Sequence, residues 1–163
     1  MPKLPAAVAS LATAACIALI AAPSVRAQDL ADQGLIVWKD SGGCTGCHGV
    51  FGEGGDGIML PAGPSLRRSR LETDALKETI ACGRPGTKMP LNLDGAYTKT
   101  PCYGMPVGAA PDTVSPGASL SEAQLNALVE FIAMRIKGKG SITKRECAAY
   151  YGDPNDPKCD DYR

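Results

Sequence analysis

The chain has 163 residues, 44% of them hydrophobic and 21% charged, which suffices for one domain with its own core and hardly for two. Seventeen Lys plus Arg cancel 17 Asp plus Glu, so no cationic field exists of the kind that holds a nucleic-acid backbone. With 19 Gly and 13 Pro against 5% aromatics, long turn-rich loops and a thin side-chain core are expected, and something else has to supply buried apolar surface.

Residues 1–27 read as an export signal. Lys3 is followed by an uncharged run, Ala6 to Ala22, and by the small-residue ending Val25-Arg26-Ala27. Once Ser10, Thr13 and Cys16 are discounted, the run is short for a spanning helix. Cleavage after Ala27 is expected, ahead of an uncleaved anchor or a lipoprotein formed through Cys16. No later stretch is apolar for long enough to cross a bilayer. The expected product is therefore periplasmic, without stable membrane insertion.

Cys44-Thr45-Gly46-Cys47-His48 follows. Two thiols three positions apart can form thioethers with the two vinyl groups of one haem edge, and the next residue supplies an imidazole to the iron. A redox dithiol would want a βαβ setting, whereas Gly42-Gly43 precedes this motif and a Gly-rich loop, Gly49 to Gly57, follows it. A zinc site would want a second cysteine pair at knuckle spacing. Glu53 and Asp56 read as turn residues of that loop rather than as acid–base groups. Arg67, Arg68 and Arg70 read as a solvated basic cluster or as contacts for haem carboxylates.

Thr73 can cap a helix carrying Ala75, Leu76, Thr79 and Ile80, with Gly83 as its C′ residue. Because His48 is the only histidine, a second imidazole cannot complete the iron's coordination within one protomer, which leaves a methionine sulfur, a less common donor such as lysine, or no sixth ligand. Met59 sits too near the attachment motif to reach the far haem face, and Met134 lies on a helical stretch. Met89 and Met105 remain, each followed by Pro. Ser121 and Gln124 form a capping box, and Leu120 with Leu125 has staple spacing. The stripe Leu125, Leu128, Val129, Ile132 and Ile136 marks the buried face of the helix that starts there.

In this order the segments resemble the monohaem class I c-type cytochromes. Gly34 and Trp38 look like contact points of the family's N-terminal helix. Gly63-Pro64-Ser65-Leu66 is similar to the stretch whose proline carbonyl accepts a hydrogen bond from the proximal histidine. Gly83-Arg84-Pro85-Gly86-Thr87-Lys88-Met89-Pro90 looks like the loop of the axial methionine, and Leu120 through Ile132 like the closing helix. The resemblance implies an all-α fold around one covalent haem c, held by Cys44, Cys47, His48, Pro64 and Met89. The domain limits expected are 28–137 for the cytochrome and 138–163 for a C-terminal extension. Besides that extension, the chain departs from the pattern by an insertion after the methionine loop: Met89 precedes Leu120 by 31 positions and Met105 by 15. Local context favours Met89 as ligand, loop length favours Met105, and context is given the greater weight.

Cys82, Cys102, Cys147 and Cys159 allow three pairings. In an exported protein they are expected as disulfides, and short separation favours Cys82–Cys102 with Cys147–Cys159. A low-spin iron between imidazole and thioether suits one-electron transfer. The reading is an electron carrier rather than an enzyme. It would take electrons from a periplasmic dehydrogenase, by resemblance a quinoprotein alcohol dehydrogenase, and pass them to an oxidase or another cytochrome. Lys88 and Arg84 could face an acidic partner. The alternatives are a haem enzyme or gas sensor with an open sixth position, and a subunit held on its dehydrogenase through the insertion and extension.

Overall fold

The computed structural model describes residues 25–55 and 62–163. The leader up to residue 24, with Cys16, lies outside the described residues, as do Asp56 and Met59. Helix α1 spans Val25–Ile36 and runs on as a π-helical turn, Val37–Ser41. A single turn, α2, covers Thr45–His48, and a 3₁₀ turn covers Leu66–Arg68. Helix α3 is Thr73–Cys82, strand β1 Leu91–Leu93, and strand β2 Pro116–Leu120. Helix α4 is Glu122–Phe131, extended by a second π-helical turn, Ile132–Ile136. Helix α5, Lys144–Tyr151, and a 3₁₀ turn, Pro157–Cys159, complete the chain. The protein is mainly helical.

Helix α4 begins where the capping box places it: the Ser121 hydroxyl accepts from the Gln124 N–H at 3.3 Å, and Gln124 Oε1 accepts from the Ser121 N–H at 2.9 Å. Every member of its apolar stripe is buried, as is Leu120 before the cap. Helix α1 crosses it at Gly34. A Cβ at that position would stand 2.0 Å from the Ala127 carbonyl oxygen and 2.6 Å from Phe131 Cβ, so only glycine permits the backbones to come so close. One turn later Trp38 is fully buried, donates from Nε1 to the Val50 carbonyl at 2.9 Å, and sits 6.0 Å from the Phe131 ring. The crossing therefore ties α1 and α4 to the segment after Cys47-His48.

Helix α3 starts one residue earlier than expected. Leu76 donates to the Glu72 carbonyl at 2.8 Å, so Glu72 is the N-cap, without a side-chain bond, and Thr73 is already helical. Leu76 and Ile80 are buried and Ala75 faces solvent. The parallel pairing of β1 with β2 was not legible in alternation: β2 carries Pro, Gly and Ser, and the ladder is bulged. Asn92 stitches it. Its buried amide donates to the Ile80 and Pro90 carbonyls, each at 3.1 Å, and accepts from the Ala118 N–H at 3.1 Å.

Arg67 is not part of a solvated cluster. It is buried, and its guanidinium donates to the carbonyls of Gly140, Phe51 and Ser141 and to Glu146 at 3.1 Å. Five donors in a planar fork can bind several carbonyls at once, and here they fasten the C-terminal tail to the body. Beside it Phe51 packs edge-on against Tyr150, Tyr151 and Tyr162. The Cys147–Cys159 bridge is buried in this second core, and the Cys82–Cys102 bridge lies in the main one. Both bridges join cysteines close in sequence. Helix α5 opens with a capping box, Thr143 with Glu146.

Burial works against the ionised form of Glu146, yet the Thr143 N–H, the Thr143 hydroxyl and Arg67 together hold its carboxyl below the usual range. A carboxyl lowered on folding stabilises the fold above its unfolded value, and the gain disappears as pH falls through the folded one. Glu146→Gln should therefore lower stability at neutral pH by about 1–3 kcal/mol. The gap to the parent should close in acid, as read from denaturant unfolding across pH. Gly34→Ala should cost about 1–3 kcal/mol by overpacking, measured in the same unfolding assay.

Candidate cofactor site

The attachment motif is shaped by short hydrogen bonds and glycines. Gly42 donates to the Val37 carbonyl at 2.7 Å and closes the π-helical turn. The single turn α2, with Cys44 as its N-cap, then sets Cys44 and His48 four positions apart, with His48 N–H on the Cys44 carbonyl at 2.9 Å. Residues four apart lie on one helix face. Glu53 closes the following loop by accepting from the Phe51 N–H at 2.8 Å, which fits a turn role for its carboxylate.

The imidazole is gripped from its far side. His48 Nδ1 stands 2.8 Å from the Pro64 carbonyl oxygen. A carbonyl can only accept, so Nδ1 carries the proton, and in the neutral ring it is Nε2 that keeps a lone pair. Gly63 lies close against the ring: a Cβ there would meet His48 Cε1 and Nδ1 at 2.8 Å. Its own N–H donates to the Cys47 carbonyl at 2.7 Å.

A cleft of about 640 Å³ opens beside these groups, lined by Cys44, His48 and Pro64 and walled by Trp38, Leu66, Leu76, Ile80, Leu128 and Ile132. Met89, Asn92 and Tyr103 line it as well, and Arg68 and Arg84 bring two cations to it. Met105 packs against the main core outside the cleft. Met134 lines a different cleft, of about 420 Å³, between α4 and the tail. Arg84 and Lys88 are exposed. Sequence reasoning missed Asn92 and Tyr103. Their signals were faint: an amide three positions after Met89, and a tyrosine following Cys102.

The donor set can be tested against the group the motif implies. Cys44 and Cys47 are the free cysteines among the described residues. Burial, with a smaller push from Cys47 and against a backbone hydrogen bond, raises the Cys44 thiol to about 11. Such a place disfavours a thiolate and suits a neutral thioether. Among the described residues no cluster of three or more His, Cys, Asp or Glu could hold a bare metal ion. Apolar walls, two thiols on one turn and an imidazole with Nε2 free fit a covalently attached haem.

The family model described as cytochrome c matches residues 31–134. No curated protein and no solved structure matches the chain.

Gly63→Ala tests the imidazole cradle. The added methyl should displace the His48 ring at an overpacking cost of about 1–3 kcal/mol. The protein produced in a maturation-competent host should then carry less haem per chain than the parent, measured as the ratio of Soret absorbance to total protein.

Proposed function

This chain belongs to the cytochrome c family, carries haem c covalently and serves electron transfer, and we propose that it is an exported, periplasmic one-electron carrier with His48 and Met89 as its axial pair. In this reading Cys44 and Cys47 hold the thioethers, and Pro64 fixes the proximal imidazole. The observation that carries the axial pair is that Met89 lines one cleft with Cys44 and His48 while Met105 lies outside it. The Met89 loop is also closed on itself. Arg84 N–H donates to the Met89 carbonyl at 3.1 Å, the Thr87 hydroxyl to the Arg84 carbonyl at 2.7 Å, and the Met89 N–H to the Thr87 hydroxyl at 3.1 Å.

Bound in that cleft, haem supplies a one-electron couple, and thioether ligation raises its potential. The chain's own share is rigidity and dryness. The Pro64 carbonyl holds the imidazole in one tautomer and orientation. With haem seated there, the apolar walls would leave little room for water, and the closed loop would restrain the Met89 side chain.

Export on residues 1–27 is supported by the leader's composition, and disulfides such as Cys82–Cys102 and Cys147–Cys159 suit an oxidising compartment. The donor in this reading is a periplasmic dehydrogenase of the quinoprotein alcohol type, and the acceptor an oxidase or another cytochrome. Arg84 and Lys88, exposed on the ligand loop, would speed encounter with an acidic partner more than they would hold it. The tail turns its Tyr150 and disulfide side to Phe51 and Arg67 of its own body, which favours a carrier over a subunit held through the extension. Met89 in the cleft favours a filled sixth position over a sensor.

Replacing Met89 and Met105 by Ala separates the candidates. The far-red sulfur-to-iron absorption of the ferric protein should vanish in Met89→Ala and persist in Met105→Ala. The ferrous Met89→Ala protein should bind carbon monoxide readily, and its midpoint potential should fall.

A further inference from the structure

We propose that Tyr103, in the inserted segment, is a positioning residue for the iron's sixth ligand, gripping the neck of the Met89 loop and covering the cleft on that side. The inference rests on the reading of Met89 as that ligand.

Cys102-Tyr103-Gly104-Met105 is a tight turn, closed by the Met105 N–H on the Cys102 carbonyl at 2.9 Å. Its two central residues have φ of +52° and +72°, the pattern of a type I′ turn. Glycine adopts the second freely. A tyrosine at the first is disfavoured, and such a residue persists only where its surroundings over-determine it.

Here they do, through three grips on the C-terminal end of α3 and the residue that follows it. Cys102 is bridged to Cys82, the final residue of that helix. The Tyr103 N–H donates to Glu78 Oε1 at 2.8 Å, and the Tyr103 hydroxyl donates to the Gly83 carbonyl. A helix leaves its last carbonyls without intrahelical partners, so the outgoing chain would otherwise be held loosely at this point.

Gly83 is the neck of the Met89 loop. A Cβ there would come within 2.6 Å of both the Pro90 carbonyl carbon and the Leu91 nitrogen, so the two ends of the loop meet at this residue. Asn92 fastens one side of the neck by its bond to the Pro90 carbonyl, and the Tyr103 hydroxyl fastens the other. The Tyr103 side chain also lines the cleft shared by His48 and Met89, at 40% exposure. Ring and hydroxyl therefore act together: the ring narrows access to the cleft, and the hydroxyl restrains the loop that delivers the sulfur. Met105 occupies the far corner of the same turn, which gives the second Met-Pro pair a place without a ligand role.

The test uses holoprotein. Tyr103→Phe keeps the ring and removes the donor, while Tyr103→Gly removes both and relieves the positive-φ backbone. Carbon monoxide can bind ferrous iron only when the sulfur leaves, and loss of one hydrogen bond should raise the open population, and with it the association rate, about fivefold in Tyr103→Phe. Tyr103→Gly should show a larger rise and a lower midpoint potential, with the cooperative unfolding transition retained. Equal carbon monoxide rates and potentials in the parent and both variants, with the far-red band still lost in Met89→Ala, would overturn the role given to Tyr103. Persistence of that band in Met89→Ala would overturn it differently, by removing the ligand on which it acts.

Discussion

A carbonyl oxygen cannot donate a proton, and the rest of the site follows from that constraint at Pro64. Its 2.8 Å contact with His48 fixes which ring nitrogen is protonated and therefore which one is available to a metal. The glycine before Pro64 lets the ring come close to the backbone and bonds back to Cys47. The attachment turn and the Gly63–Leu66 stretch are thus one rigid unit. Around it stand apolar side chains of α3, of α4 and of the π-helical turns that extend α1 and α4, facing a cleft that this small, aromatic-poor chain does not fill with its own residues. The scarcity of large side chains in the composition and the cleft in the fold are two views of one fact: in this family the prosthetic group completes the core.

What could be read in advance was what depends on near neighbours. Attachment chemistry imposes its spacing within five residues, so Cys44 to His48 could be singled out as a candidate site, and a helix announces itself through a cap and a stripe, so the helix after Ser121 was legible. Gly34 and Trp38 could be placed by resemblance, although only the crossing shows that a single methyl would separate α1 from α4. The β1–β2 pair was not legible, because its strands are parallel and joined by a long excursion whose geometry depends on the Asn92 amide. Tyr103 escaped notice for the same reason: its partners, Glu78 and Gly83, are brought to it only by the fold.

Arg67 gives the clearest case of a misleading neighbourhood. Three arginines among four residues look like a solvated patch, but burial is decided by partners, and one of the three finds four groups in the tail and the attachment loop. Arg68 and Arg70 remain exposed. By contrast, the Thr143–Glu146 capping box was open to inspection in the sequence as T-x-x-E and required no tertiary information.

Neither cross-link joins the tail to the body: one lies wholly inside the main core, and the other closes the tail upon itself. The final segment is thus a ligand for its own protein, captured by a guanidinium fork and an aromatic nest and kept at high local concentration by a short tether after Ile136. Its attachment is an equilibrium, and scission of the tether would turn a permanent neighbour into a dissociable peptide.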